Sequence, residues 1–253
     1  MKPTYQRILR AAVLVLGSLS LNSAFAQGPS GSQWGLGATV GFEKKPYRDF
    51  DDKAQLLPIL FYENRWIRLA GTTLDLKLSS SESFRWGPRL RFSGEGYEAE
   101  DSPFLKGMDE RKSSFWAGAA ASWDMRWATL SAEVLGDASG NSKGSRMSLG
   151  VERRFASGSF DFTPRVAAHH VDKKYANYYY GVRSEEATAL RPLHGGKATT
   201  NLEFGLQIGY ALAPKQRLSL DLSTTRLGSS IKDSPLVDRT KQDNVRLTYL
   251  YLF

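Results

Sequence analysis

The chain has three histidines and no cysteine, so any catalytic or metal chemistry must come from His169, His170, His194, hydroxyls and carboxylates. His169 and His170 are adjacent at the end of a strand-like pattern, and strand neighbours point to opposite faces, which makes them a poor joint metal site. No local motif around His169 marks a serine nucleophile. The acidic loop residues Asp49, Asp51, Asp52, Asp101, Asp109 and Glu110 lack the spacing of a calcium-binding loop and read as solvated charge. Neither a catalytic residue, a cofactor site nor a metal site is therefore expected. The charges that share a geometry are of another kind. Arg85, Arg89, Arg91, Glu133, Arg146, Glu152, Arg154, Asp161, Arg165, His169, Glu203, Asp221 and Arg246 all fall on the polar side of alternating segments. If those segments wall a barrel, seven arginines and five carboxylates line one narrow lumen and must largely pair. The result is either a lattice that plugs the barrel or a narrow pore for small polar solutes, its selectivity set by the charges left over.

The elements that would position these charges are strands. In residues 34–42 the apolar set Trp34, Leu36, Ala38, Val40 and Phe42 opposes Gly35, Gly37, Thr39 and Gly41; in 84–93, Phe84, Trp86, Leu90 and Phe92 oppose Arg85, Arg89, Arg91 and Ser93. Residues 201–210 set Leu202, Phe204, Leu206, Ile208 and Tyr210 against Asn201, Glu203 and Gln207. The last ten residues, NVRLTYLYLF, place Val245, Leu247, Tyr249, Tyr251 and Phe253 on one wholly apolar face. Weaker period-2 patterns occupy 115–123, 128–135, 147–155, 160–168 and 218–222. No stretch of comparable length has a 3.6 period, so helices should be few.

Connections alternate in length. Short ones fall at 63–65, 79–83, 125–126, 156–159 and 211–216, and long ones at 43–54, 95–114, 137–144, 171–196 and 228–243. Short turns at one end and long loops at the other is the plan of bacterial outer-membrane barrels, with the short turns in the periplasm. Eleven segments are countable, whereas such a barrel needs an even number. Between residues 66 and 78 the apolar phase changes at Gly71, which is either a bulge or a turn. The expectation is an all-β, antiparallel transmembrane β-barrel of twelve strands, with ten as the alternative.

Residues 1–26 read as a secretory signal peptide, with Lys2, Arg7 and Arg10 before an apolar run and Ala24-Phe25-Ala26 as the cleavage site. Residues 27–253 form one barrel domain. Removing the signal takes away three positive and no negative charges, which lowers the formal charge from +8 to +5. That is no footprint of nucleic-acid binding. No later apolar run is long enough for a membrane-spanning helix. Without cysteine the fold rests on packing and strand pairing. Aromatics at 12% suit a wall of which every second residue meets outer-membrane lipid.

A chain ending on an aromatic residue inside such a strand resembles the C-terminal signal of outer-membrane barrels, which implies that Phe253, Tyr251 and Tyr249 act in assembly. Four loop stretches, PYRDFDDKAQLLPILFYENR at 46–65, LKGMDERKS at 105–113, YYYGVRSEEA at 178–187 and TRLGSSIKDSPLVDR at 225–239, resemble the MltA-interacting protein (MipA/OmpV) family. The resemblance implies a bacterial outer-membrane barrel that, in some members, is a non-catalytic scaffold joining a murein lytic transglycosylase to a bifunctional penicillin-binding synthase. A pore or transporter and an outward-facing adhesin are the alternatives. The motifs themselves read as structural, with Asp233-Ser234-Pro235 as a turn and Tyr178, Tyr179 and Tyr180 in an interfacial aromatic girdle.

Phe253→Ala should lower the amount of membrane-inserted protein several-fold while leaving an already inserted barrel heat-modifiable in SDS electrophoresis. Normal insertion of the variant would contradict an assembly role.

Overall fold

The computed structural model describes residues 31–253 apart from Lys53 and Glu82. The expected signal peptide and most of the segment before the first strand lie outside the described residues. Twelve strands run in sequence around a closed antiparallel sheet: β1 Gln33–Lys44, β2 Gln55–Glu63, β3 Ile67–Ala70, β4 Thr73–Leu76 continued by Ser79–Ser80, β5 Phe84–Ser93 and β6 Ser114–Asp124. The circuit continues with β7 Thr129–Asp137, β8 Ser145–Glu152 continued by Phe155–Ser157, β9 Phe160–Val171, β10 Thr199–Ala213, β11 Gln216–Arg226 and β12 Lys241–Leu252. Closure is made by β12 on β1, from Gly35 opposite Leu252 to Lys44 opposite Asp243. The expected phase change at Gly71 is a turn: Ala70 pairs with Thr73, and Gly71 sits at φ +59°, a region costly for other residues. A second irregularity separates Leu76 from Ser79, and both pieces of β4 pair with β5.

The faces sort as the alternation requires. Trp34, Leu36, Val40 and Phe42 of β1 are exposed on the outside, and Trp86, Leu90, Phe115, Trp123, Phe204, Leu247 and Tyr251 continue the apolar band. These side chains would be unstable in water and are at home in lipid. Turns of a few residues connect strands at the end carrying Phe253, and long loops connect them at the other, with the Gly71 turn as the one short connection there.

The long loops are folded, which the period-2 reading missed. Residues 173–180 form a helix, α1 Lys173–Tyr180, whose first turn is capped by the Asp172 carboxylate accepting from Tyr175 N. Tyr175 and Tyr179, and Ala176 and Tyr180, recur at the four-residue spacing of one helical face and are buried. At eight residues the helix is too short to announce itself by periodicity. Tyr179 and Tyr180 are therefore not part of an aromatic girdle. They belong to a core with Tyr47, Tyr97, Leu105, Trp116, Ile231 and Leu236, drawn from four loops and the strand ends beneath them. Tyr47 meets Tyr97 edge-on at 4.8 Å and stacks on Tyr180 at 5.5 Å, contacts worth about 0.5–1.5 kcal/mol each beyond area burial. The core closes the long-loop end like a cap.

Three arginines lock the cap. Arg111 donates to both Glu186 oxygens at 2.7 Å and to Tyr178 O and Asp109 O, with its guanidinium between the Tyr97 and Tyr178 rings. Arg191 donates to the carbonyls of Glu186, Phe104 and Lys106. Arg239 reaches Lys45 O and the Asp52 carboxylate, which corrects the reading of Asp52 as solvated charge, whereas Asp109 pairs with Arg183 at the exposed surface. Asp233-Ser234-Pro235 does form a turn, with Ser234 Oγ donating to Tyr180 O and accepting from Leu236 N. All four motif stretches thus meet in one structure.

Burial pushes the Glu186 carboxyl up, but the main-chain N–H of Arg183, the Arg111 guanidinium and the N–H of Asp109 outweigh it and hold the pKa below the usual 4.5. A lowered folded value means that the latch is complete above about pH 4.5 and is lost as pH falls through that lowered value. Arg111→Ala leaves the buried Glu186 carboxylate without its cation, at a cost of about 3–5 kcal/mol. Cleavage of the cap loops by protease at neutral pH should rise on the order of 100-fold with the barrel still resistant to cold SDS. Unchanged loop protection would contradict the latch.

Candidate functional site

The inner face of the wall carries the charges that the alternation singles out, and register brings them into groups. Arg89 donates to Asp75 (Nε to Oδ1, 2.5 Å) and to Glu133 (Nη1 to Oε2, 2.8 Å), and Arg91 reaches the same Glu133 at 2.8 and 3.0 Å. Across the barrel, Arg165 donates to Glu203 at 2.8 Å and to Asp221 at 2.6 and 3.1 Å. Arg246 lies opposite Asp221 in register, and Glu152 opposite Arg165. Near the short-turn end Asp161 pairs with Arg154 at 3.5 Å and with Arg217, and Arg85 pairs with Asp124 at 2.7 Å. Near the cap Arg146 pairs with Glu95 at 2.5 Å and lies over the Trp116 ring, whose Nε1 also donates to Glu95.

The inner-face participants that escape the sequence reading include Glu63, Arg68, Asp75, Lys77, Glu95, Asp124 and Arg217. Asp75 lies between the outward Leu74 and Leu76, and Arg217 keeps step with Ser219 and Asp221, so alternation could have found both. Glu95 falls in a loop by its sequence and folds inward. The charges do not fill the whole lumen: Ile59, Phe61, Leu250 and Leu252 form an inner apolar cluster with Ala70.

Buried ion pairs of this kind contribute little net stability, because desolvation offsets their attraction, but removing one partner is expensive. Arg89 and Arg165 are each shared between two carboxylates, and Glu133 and Asp161 each between two arginines, which engages several donors of a guanidinium at once. Glu133, Asp161, Asp221, Gln207 and Arg246 are all buried. Arg85, Asp124, Arg154 and His169, nearer the ends of the wall or beside small residues, keep about a third of their side-chain surface exposed.

The histidines are separated. His169 faces inward and forms a chain, accepting from or donating to Ser148 Oγ at 2.9 Å through Nδ1, with Nε2 3.5 Å from Glu203. A Ser-His-Glu chain could in principle activate a nucleophile. Here Arg165 already neutralises Glu203, and Ser148 sits in mid-strand, paired on both sides, so the wall's own ladder uses the backbone N–H groups that would hold an oxyanion. His170 faces outward beside Thr200, and His194 lies in the cap, its main chain bridged to Val182. The stretch 140–144 reads Gly-Asn-Ser-Lys-Gly, a pattern the sequence reading passed over. Its Ser142 is turned onto Asp137 in a hairpin loop, not at a strand-to-helix elbow. Among the described residues no group of three or more His, Asp or Glu side chains is arranged to hold a metal.

Phe253 and Tyr251 meet edge-on at 5.3 Å on the outer face, and Phe253 N donates to Trp34 O across the closing seam. Tyr249 shares that face and is hydrogen-bonded to Gln216.

Residues 36–253 match the family described as MltA-interacting protein MipA. The chain is 27% identical over 238 residues to the MltA-interacting protein of Escherichia coli K12, covering 90% of this chain and 93% of that one. It is 26% identical over 229 residues, 86% and 89% of the two chains, to the putative outer membrane protein YiaT of the same organism. Among solved structures, the COG4313 outer membrane channel from Pseudomonas putida F1 aligns over 92% of this chain and 100% of that one at 11% identity, with a TM-score of 0.47. With a closed twelve-stranded barrel, an apolar outer band and a family match over nearly the whole described chain, this protein is an outer-membrane β-barrel that belongs to the MltA-interacting protein MipA family.

Proposed function

We propose that this barrel is a non-catalytic scaffold that holds peptidoglycan-remodelling enzymes, a lytic transglycosylase and a penicillin-binding synthase, at the inner surface of the outer membrane. The reading is carried by the relative named MltA-interacting protein, which aligns over 90% of this chain. Physical support comes from the lumen: a barrel filled by paired charge and capped by a folded loop core is built to be rigid and closed, which suits a platform better than a conduit. The cap lies at the long-loop end, outside the cell by the plan of such barrels, so the family-like motifs serve the fold and the periplasmic partner must use the opposite rim.

That rim has a consistent chemistry. Arg65, Arg126 and Lys215 are exposed at three of its short connections and Arg153 on the wall above a fourth, with Trp66 and Trp127 exposed beside the first two. Turns of this length present too little surface for an interface of about 800 Å² per partner if used singly. The whole ring, joined by the chain that precedes β1, offers more. A basic, tryptophan-studded ring fits an acidic partner surface that itself lies against the membrane.

Tagged mature protein, solubilised from envelopes in detergent, should recover a murein hydrolase and a penicillin-binding synthase. The quadruple variant Arg65→Glu, Arg126→Glu, Arg153→Glu and Lys215→Glu should recover several-fold less of both. Removal of residues 28–33 separates the N-terminal segment from the rim as the contact. If wild-type protein recovers no murein enzyme, the scaffold reading fails and a narrow transporter takes its place.

A further inference from the structure

On the outer wall, β8, β9 and β10 form a groove of about 270 Å³. Register explains it. Ala168 of β9 lies directly between Leu149 of β8 and Leu202 of β10, so a single methyl group separates two leucines that are about half exposed on the outer face. One step toward the short-turn end, Val166 lies between Val151 and Phe204. The lining is apolar, and the volume is below the roughly 300–1,000 Å³ of a site that encloses a whole small molecule. A groove of that size, open on the lipid-facing side of the wall, has room for a stretch of one acyl chain.

The long-loop end of the groove is polar and positive. His170, the next outward residue of β9, is exposed and shares a hydrogen bond of 3.0 Å with Thr200 Oγ1 of β10. Lys173 and Lys174 follow at the start of α1, and Lys197 precedes β10; all three are exposed. Arg226 ends β11 opposite Leu202, and its guanidinium lies over the Phe204 ring at 5.9 Å, turned toward β10 and the groove. On its other side Arg226 stands opposite Lys241 of β12, a like-charge pair that is unfavourable without an anion near it. Among the described residues Lys173, Lys174, Lys197 and Arg226 have no carboxylate partner, and Lys241 has Asp243 at 3.6 Å. Asp172, beside the two lysines of α1, is engaged by Tyr175 N and Ser145 Oγ. At the same end of the other half of the wall, the outward residues near the strand ends are Leu56, Phe92, Phe115 and Gly136. Positive charge is therefore gathered on the side of the wall that carries the groove, which a general attraction to a charged membrane surface would not require.

We propose that this side of the wall binds one phosphate-bearing lipid of the outer leaflet, with an acyl chain in the groove over Ala168 and its phosphate held by Arg226, Lys197 and Lys241. A guanidinium backed by an aromatic ring is suited to such an anion. The site is independent of the scaffold reading, since it lies in the opposite half of the membrane. Wild-type protein in phosphatidylcholine nanodiscs doped with diphosphoryl lipid A should retain one lipid A in native mass spectrometry, in preference to phosphatidylcholine. Arg226→Ser combined with Lys241→Ser should weaken that retention about 30-fold, as the loss of two cations at a charged lipid surface implies. Ala168→Phe, which fills the groove with a side chain that lipid accepts, should weaken it several-fold without any change of charge. These positions all face outward, and a shift on boiling in SDS electrophoresis reports that each variant is folded. Equal retention of the two lipids by wild-type protein, or wild-type retention of lipid A by either variant, would overturn the proposal.

Discussion

A polypeptide in hydrocarbon must satisfy its main-chain hydrogen bonds within itself, and the pairing of β12 with β1 meets that demand here. Once the sheet closes, every strand residue faces either lipid or lumen, and the alternation of Phe253, Tyr251 and Tyr249 with Leu252, Leu250 and Thr248 becomes compulsory. The close approach at the seam also explains its small residues. A Cβ on Gly37 would lie 2.1 Å from Tyr249 O, so a larger side chain there would push the last strand off the first.

Closure creates a second constraint, a confined interior lined by polar residues. Twelve strands enclose a space too wide to fill with aliphatic side chains alone and too narrow for isolated charges to keep their hydration. Arg89, Arg91, Glu133 and Asp75 on one side, and Arg165, Glu203 and Asp221 on the other, resolve this by sharing ions. The cap repeats the solution with Arg111 and Glu186, this time inside an aromatic core. The same chemistry therefore holds the interior and the lid. The relay of Ser148, His169 and Glu203 belongs to that lattice, with Glu203 held by Arg165 as well.

Period-2 alternation made the wall and its inward charges legible in the sequence, because strand geometry ties each residue's face to its parity. Strand number was legible too, once Gly71 was recognised as a phase change between Leu69 and Leu74. The cap was not. Tyr175, Tyr179 and Tyr180 lie in eight residues of helix within a long connection, and their partners Tyr47, Tyr97 and Leu236 come from three other loops. No local pattern reports such a meeting. Glu95 is the same case within the lumen: a loop residue by its sequence, it turns inward only because Arg146 and Trp116 are there to receive it. The matching loop stretches pointed to a family, and their physical role emerged only when all four were seen to pack together.

The central claim is that paired charge and the folded cap leave this barrel closed to solutes. Planar-bilayer recording of the purified wild-type protein tests it most directly. The account predicts a near-silent baseline at neutral pH, with conducting events appearing when Arg85, Arg89 and Arg91 are together replaced by alanine, since Glu133, Asp75 and Asp124 then lose their partners. A steady channel of porin size from the wild-type protein would contradict it.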